Sequence, residues 1–250
     1  MQLNPDIDFL QFLNHISLDC VVFGFHDNQL KVLLIRIRNT TNWALPGGFV
    51  RKAESLETAA NRVLIERTGL GNIFLKQFNV FGDPLRSKEN PIVKELIISG
   101  VNTGMDWFNQ RFISVGYYAL VDFSKAVPTP DNFSDLCTWK NLKGLGSLIL
   151  DHNHILNSAL ETLRLQLNYQ PLGYNLLPEK FTMPELQNLY ETILGKELDR
   201  RNFQRKILSF NILNRLEERK TGGAHKAPFL YEFNMENYQS ALKNGLSGGW

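Results

Sequence analysis

An α/β domain with a mixed sheet between helices, followed by a small helical domain closed by a β-hairpin, is the architecture this sequence predicts. Three observations predict it. β-rich runs surround one capped amphipathic helix in the front of the chain. A long helix near residue 150 ends the strand patterning. Two short helices with a tight glycine turn then precede a last pair of strand-like runs. The division is expected between residues 1–165 and 166–250.

A chain of 250 residues is long enough for both domains. Apolar content of 43% and charged content of 21% are ordinary for a soluble globular protein. The net charge of +2 excludes polyelectrolyte character, so any nucleic-acid surface must come from local clustering. Two cysteines, Cys20 and Cys137, cannot by themselves make a disulfide framework or a zinc site, and read as reduced core residues. The start "MQLNPDIDFLQFLNHISLDC" lacks the basic and apolar blocks of a signal peptide. No apolar run approaches the ~18 residues that span a bilayer. A cytoplasmic protein without membrane contact is expected.

The elements follow in order. "SLDCVVFGF" and "LKVLLIRIR", separated by "HDNQ", predict a hairpin. Pro46, Gly47 and Gly48 in "WALPGGFV" punctuate a loop. Leu56, Ala59, Ala60, Val63 and Leu64 fall at helical spacing between Ser55, a plausible N-cap, and Gly69, a natural stop. "FLKQFNVF" and "RFISVGYYALVDF" predict further strands, with "GDPLRSKENPIVKELIISGVNTGMDWFNQ" as loops and short pieces between them. "LILDHNHILNSALETLRLQLNYQP" predicts a long helix closed by Pro171. His152 and His154 lie two apart on it, face different ways, and make a poor metal pair. The tail "LKNGLSGGW" is expected to fray.

From Gly48 onward, Glu54, Arg62, Leu64, Glu66, Gly69 and Leu70 fall on the pattern G-x5-E-x7-R-E-U-x-E-E-x-G-U, where U is a bulky aliphatic. The segment resembles the Nudix box, with "WALPGG" as the usual lead-in. The resemblance covers roughly residues 15–160. It implies the Nudix fold and structural roles for Glu54 and Arg62, which hold the loop against the helix. Two positions depart. Val63 and Arg67 stand where glutamates are expected, and only Glu66 remains of three. On a helix these positions are neighbours. Valine offers no oxygen, and a guanidinium repels a divalent ion, so Mg²⁺ has poor seating. Hydrolase activity is therefore expected to be lost, with no cofactor and no metal. Glu57, Glu89 and Glu95 are the acids that could substitute, and they read as surface residues. The remaining pocket is expected to bind a small molecule. Trp43, Phe49 and Tyr118 offer flat faces, and Arg62, Glu66 and Arg67 offer polar contacts.

The back half carries a different pattern. In "FTMPELQNLYETILGKELDRRNFQRKIL", Thr182 and Glu185 fit a capping box, with Pro184 in the first turn. Leu186, Leu189, Tyr190 and Ile193 form one stripe, and Gly195 ends the helix. Asp199 caps a second helix that buries Phe203, Ile207 and Phe210. Two short helices around a glycine turn spell helix-turn-helix. The candidate DNA contacts are Thr182, Arg200, Arg201, Asn202, Gln204, Arg205 and Lys206, of which Arg200, Arg201 and Gln204 lie in the turns that enter a major groove. "ILNRLEERKTGGAHKAPFLYEFN" adds a hairpin, the wing, with Lys220, His225 and Lys226 near its tip for phosphate or minor-groove contact. From Lys196 to Lys226 nine Lys/Arg face four Asp/Glu, about +5 in a chain of +2.

The two halves together resemble the Nudix-related transcriptional regulators of bacteria, down to "KAPFLYEF" closing the wing. The resemblance implies a homodimer on a partly palindromic double-stranded operator, with an effector in the Nudix pocket changing DNA affinity. Some members respond to ADP-ribose, and others, with eroded boxes, to sugars such as arabinose. The two lost glutamates and "VGYYALVDF" place this chain nearer the pentose-responsive group; the residues alone leave both effectors open. An active Nudix pyrophosphohydrolase and a protein-binding adaptor are the rival readings.

Overall fold

The computed structural model describes residues 8–71, 73–88, 90–98, 105–220 and 227–246. Two compact units divide the chain. The first holds residues up to Gly24 and Lys31–Ala159, and the second holds Phe25–Leu30 and everything from Leu160.

A seven-stranded sheet organises the first unit. Strand β1 (Phe12–His26) turns at Asp27 and Asn28 into β2 (Gln29–Ile37). Both turn residues have positive φ, 49° and 58°, as a two-residue hairpin turn requires and as Asp and Asn tolerate. The short β3 (Trp43–Ala44) and β4 (Gly47–Arg51) follow. Helix α1 (Leu56–Thr68) is capped by the Ser55 hydroxyl, which accepts from the Thr58 N–H, and stops at Gly69 with φ 69°. Strand β5 (Phe74–Phe81), helices α2 (Pro91–Ile98) and α3 (Met105–Phe108), and strands β6 (Ile113–Val121) and β7 (Ser134–Asn141) complete the sheet. Its order is β3-β2-β1-β6-β5, with β4 also paired to β1 and β7 to β2. Strands β1 and β6 run parallel at its centre, while β5 and β7 are antiparallel to their partners.

That parallel pair explains the near-continuous apolar runs of β1 and β6, because both faces of the sheet are covered. On one face Leu18, Cys20 and Val22 pack in a cluster with Ala59, Val63 and Leu64 of α1. On the other, Val21, Phe23, Tyr118 and Leu120 are equally buried. Burial raises the thiol pKa of Cys20 to about 12 and of Cys137 to about 11, so both stay protonated.

Helix α4 (His152–Leu167) carries the chain from one unit to the other. The expected boundary at 165 moves to Ala159–Leu160, inside this helix. The reason is physical: its apolar spacing runs on unbroken, and no proline or glycine marks the change before Pro171.

The second unit is a winged helix. Strand β8 (Phe181–Thr182), helices α5 (Met183–Leu194) and α6 (Arg200–Ser209), and strands β9 (Leu213–Arg219) and β10 (Phe229–Phe233) form it, with sheet order β8-β10-β9. The capping box is present at Thr182 and Glu185. Glu191 accepts from the Leu198 N–H at 2.8 Å and from Gln187, whose amide also donates to the Leu198 carbonyl at 2.9 Å, and these bonds fix the turn after Gly195. Tyr190 meets Phe203 edge-on at 5.4 Å, packing α5 on α6. A last helix, α7 (Met235–Asn244), was not read in the sequence; Asn234 caps it and Tyr238 packs on Phe233 at 5.0 Å.

Candidate functional site

The first unit contains a cavity of about 420 Å³ between β1, β4, α1 and the loops before β6 and β7. The sequence positions this space directly. A Cβ on Gly47 would fall 2.6 Å from the Leu18 carbonyl oxygen, and one on Gly48 would fall 2.9 Å from Val63 Cγ2. Only glycines let β4 run this close to β1 and α1.

Above it, Phe12, Phe49, Phe108, Phe112 and Phe133 line an aromatic wall, with ring centroids such as Phe49–Phe112 and Phe108–Phe133 at 5.4 and 5.1 Å. At another part of the lining lies a buried charge network. The Arg86 guanidinium bonds the Asp151 carboxylate at 2.9 and 3.0 Å, the Phe112 carbonyl at 3.2 Å and Asp19 at 3.4 Å. Asp19 also accepts from the Ser114 hydroxyl at 2.5 Å and lies 3.5 Å from His152 Nε2. His152 Nδ1 accepts from the Leu45 N–H, leaving Nε2 to face Asp19.

Helix α1 supplies the remaining polar lining. Glu54 accepts from Arg62 at 2.6 and 3.1 Å and from the Arg51 N–H at 2.8 Å. Arg62 also donates to the Phe49 carbonyl at 2.9 Å, so the pair clamps the loop to the helix as expected. The hydrogen bond from Arg62 holds the Glu54 carboxyl below its ordinary pKa, against the opposing effect of burial. Val63 is buried and presents only methyl groups. Glu66 lies 3.5 Å from Arg62, and the Arg67 guanidinium lies 3.6 Å from both Glu66 and Asp131. Position 67 thus holds a cation between two carboxylates, and with valine at 63 this donor set does not fit the divalent ion that a Nudix fold implies. Among the described residues no group of three or more His, Cys, Asp or Glu side chains is placed to hold a metal.

Of the sequence-derived effector residues, Phe49, Arg62, Glu66 and Arg67 line the cavity. Two expectations are corrected. Tyr118 is fully buried against Phe74 and Phe78, because its strand is covered on both faces, and it is not among the lining residues. Trp43 also lies outside the lining; the Lys140 ammonium sits 4.2 Å over its ring. Glu57 is exposed at the start of α1, Glu89 lies outside the described residues, and so does the side chain of Glu95. His152 and His154 do face apart, the second meeting Phe81. Asp19, Arg86 and Asp131 are among the polar lining the sequence reading missed. A charge inside the apolar strand "SLDCVVFGF" was a signal for Asp19, since a buried carboxylate needs partners. Its partner 67 residues along the chain had no such mark.

In the second unit, α6 leaves Arg200, Arg201, Asn202 and Arg205 exposed and Gln204 and Lys206 half-buried. Arg205 donates to Asn202 at 2.9 Å. Thr182 is corrected: it is buried, and its hydroxyl is engaged with Glu185 in the cap of α5. Lys220 is ion-paired to that same Glu185. His225 and Lys226 lie outside the described residues. On β9 the exposed Arg215 and Arg219 stack over Phe229 at 4.3 and 3.8 Å, adding two cations to the wing. No helix among the described residues is long and apolar enough to cross a membrane.

Known proteins agree with both units. Residues 13–158 match the family model of the NUDIX domain, and residues 173–233 match that of the NrtR DNA-binding winged helix domain. Over 230 residues the chain is 30% identical to a protein of Acinetobacter baylyi named ADPR responsive transcriptional repressor NtrR, which covers 89% of this chain and 83% of that one. The crystal structure of Shewanella oneidensis NrtR is similar with a TM-score of 0.74 at 26% identity, covering 95% of this chain and all of that one. The structure of that protein complexed with a 27mer DNA gives 0.74 at 25% identity over the same shares.

Proposed function

Because the chain belongs to the Nudix family, among the members that join this domain to an NrtR-type winged helix, we propose that it is a ligand-controlled transcriptional regulator. It binds operator DNA as a homodimer through α6 and the wing, and a small molecule in the cavity changes that affinity. The observation that carries this reading is the pairing of a cavity that keeps only Glu66 of three expected glutamates with a helix whose first turn holds Arg200 and Arg201 exposed. An arginine there can bond a guanine edge bidentately.

For the effector we favour an ADP-ribose-class ligand over a pentose. The relative aligned along 89% of the chain is named as ADPR responsive. The volume of about 420 Å³ lies within the usual range of small-molecule sites. The phenylalanine wall suits a purine face, and the guanidinium groups suit a diphosphate. The pentose reading keeps one specific support: Asp19, Arg86 and His152 are groups that read sugar hydroxyls. The loss of the two glutamates fits either effector, and the support from "VGYYALVDF" falls with the burial of Tyr118. Cleavage is not part of this function, since positions 63 and 67 give a metal no oxygen.

Helix α4 belongs to both units and is a covalent path for the response. A coupling of ~1–3 kcal/mol would change operator affinity by roughly 5- to 150-fold. The test is fluorescence anisotropy on a duplex selected from random sequence, with ADP-ribose or L-arabinose added. A response to ADP-ribose alone supports the favoured effector, and one to arabinose alone reverses it. Turnover of ADP-ribose with Mg²⁺ well above background would restore the hydrolase.

A further inference from the structure

We propose that Arg67 is the built-in cation of the cavity: it stands in the place of a divalent metal and receives a phosphate group of the effector, so that binding needs no metal ion. The proposal rests on the ADP-ribose-class reading above.

Three observations lead to it. Arg67 lies on the last turn of α1, one residue after Glu66 and four after Val63, on the face where the Nudix pattern places oxygen ligands. It lines the cavity, yet its side chain is only 9% exposed. And it is poorly satisfied for a buried guanidinium. Its two carboxylate neighbours stand at 3.6 Å, beyond hydrogen-bond distance, and Nη1 reaches only the Pro130 carbonyl at 3.5 Å. Nε is buried and has no hydrogen-bond partner.

A guanidinium has five N–H donors. Leaving them unfilled in a dry site is costly, and leaving the charge uncompensated more so. Glu66 and Asp131 compensate the charge at a distance without filling the donors. A phosphate oxygen in the cavity does both. Glu66 can give way to it, because its side chain is 42% exposed and its two ion pairs are loose. Asp131 is held differently: its backbone N–H donates to the Ser134 hydroxyl and its carboxylate caps the Phe133 N–H at 2.9 Å. It keeps the guanidinium in place when the cavity is unliganded.

Calorimetry of ADP-ribose binding in EDTA and in Mg²⁺ tests this, on the full chain. The wild type is expected to bind equally in both buffers. Arg67→Met should weaken binding by roughly tenfold or more in both. Arg67→Lys should recover only part, since it keeps the charge and loses the fork. Arg67→Glu should lose binding in EDTA and regain some in Mg²⁺, as adjacent carboxylates then face the cavity. Melting curves and binding to the selected operator check that each variant folds; if the methionine variant does not, the lysine variant and the buffer comparison decide. Unchanged affinity in Arg67→Met, or a wild type that requires Mg²⁺, overturns the role of Arg67 and leaves the effector reading intact. A wild type that ignores ADP-ribose in both buffers overturns the effector reading, and this proposal with it.

Discussion

The cations of the cavity and the cations of α6 are the same chemical group put to opposite uses. Arg62, Arg67 and Arg86 are buried or half-buried, and each faces at least one carboxylate within 3.6 Å. Arg200 and Arg201 stand in solvent on a helix that spends its buried face on Phe203 and Ile207. A buried pair fixes geometry and resists salt, which suits a small ligand that must find a preformed site. Solvated arginines keep their donors available and act through phosphate charge and base edges, so their action is salt-dependent.

The sharpest way to break this contrast is to remove the most buried cation. Arg86→Leu should cost ~3–5 kcal/mol of stability, because it removes the guanidinium that Asp19 and Asp151 share. Urea unfolding measures it, and a loss under 1 kcal/mol would mean the network is not a structural unit. On the other side, Arg201→Ala should leave the melting curve in place and weaken operator binding by ~1–3 kcal/mol. Equal loss on operator and random duplex would demote it to a phosphate contact. Thr182→Ala separates cap from contact: it should lower stability by about 1 kcal/mol without changing discrimination between sequences. The smallest effect is a pH dependence. The Glu54 carboxyl is held below its ordinary 4.5 by Arg62, so the stability from this pair is present above that value and is lost as pH falls through the lower, folded-state pKa. The difference in Tm between wild type and Arg62→Met should therefore be constant near neutrality and narrow in acid.

Local chemistry made much of this legible in the sequence. Ser55, Gly69, Thr182, Glu185, Gly195 and Asp199 announce helix ends because each satisfies backbone groups within a few residues of itself. The recognition helix followed from the same logic. Strand β7 and helix α7 went unread. The first has the mixed pattern of a strand with exposed positions such as Asp135 and Leu136, and the second buries little beyond Tyr238. The cavity was legible where the Nudix spacing reached, at Phe49, Arg62, Glu66 and Arg67. It was not where distant loops meet: Arg86 and Asp131 come from segments whose composition signals only turns. Tyr118 shows the converse error. An aromatic in a strand reads as a binding face until one knows that the strand is parallel, central and covered on both sides.

The burial of the two cysteines has a practical outcome. Thiolate, not thiol, reacts with maleimides and oxidants, and both native sulfurs are held protonated inside the first unit. A cysteine introduced at an exposed position of the reading helix would then be the sole fast-labelling handle on an otherwise wild-type chain. Slow uptake of label by Cys20 and Cys137 would, in the same tube, clock the opening of the sheet.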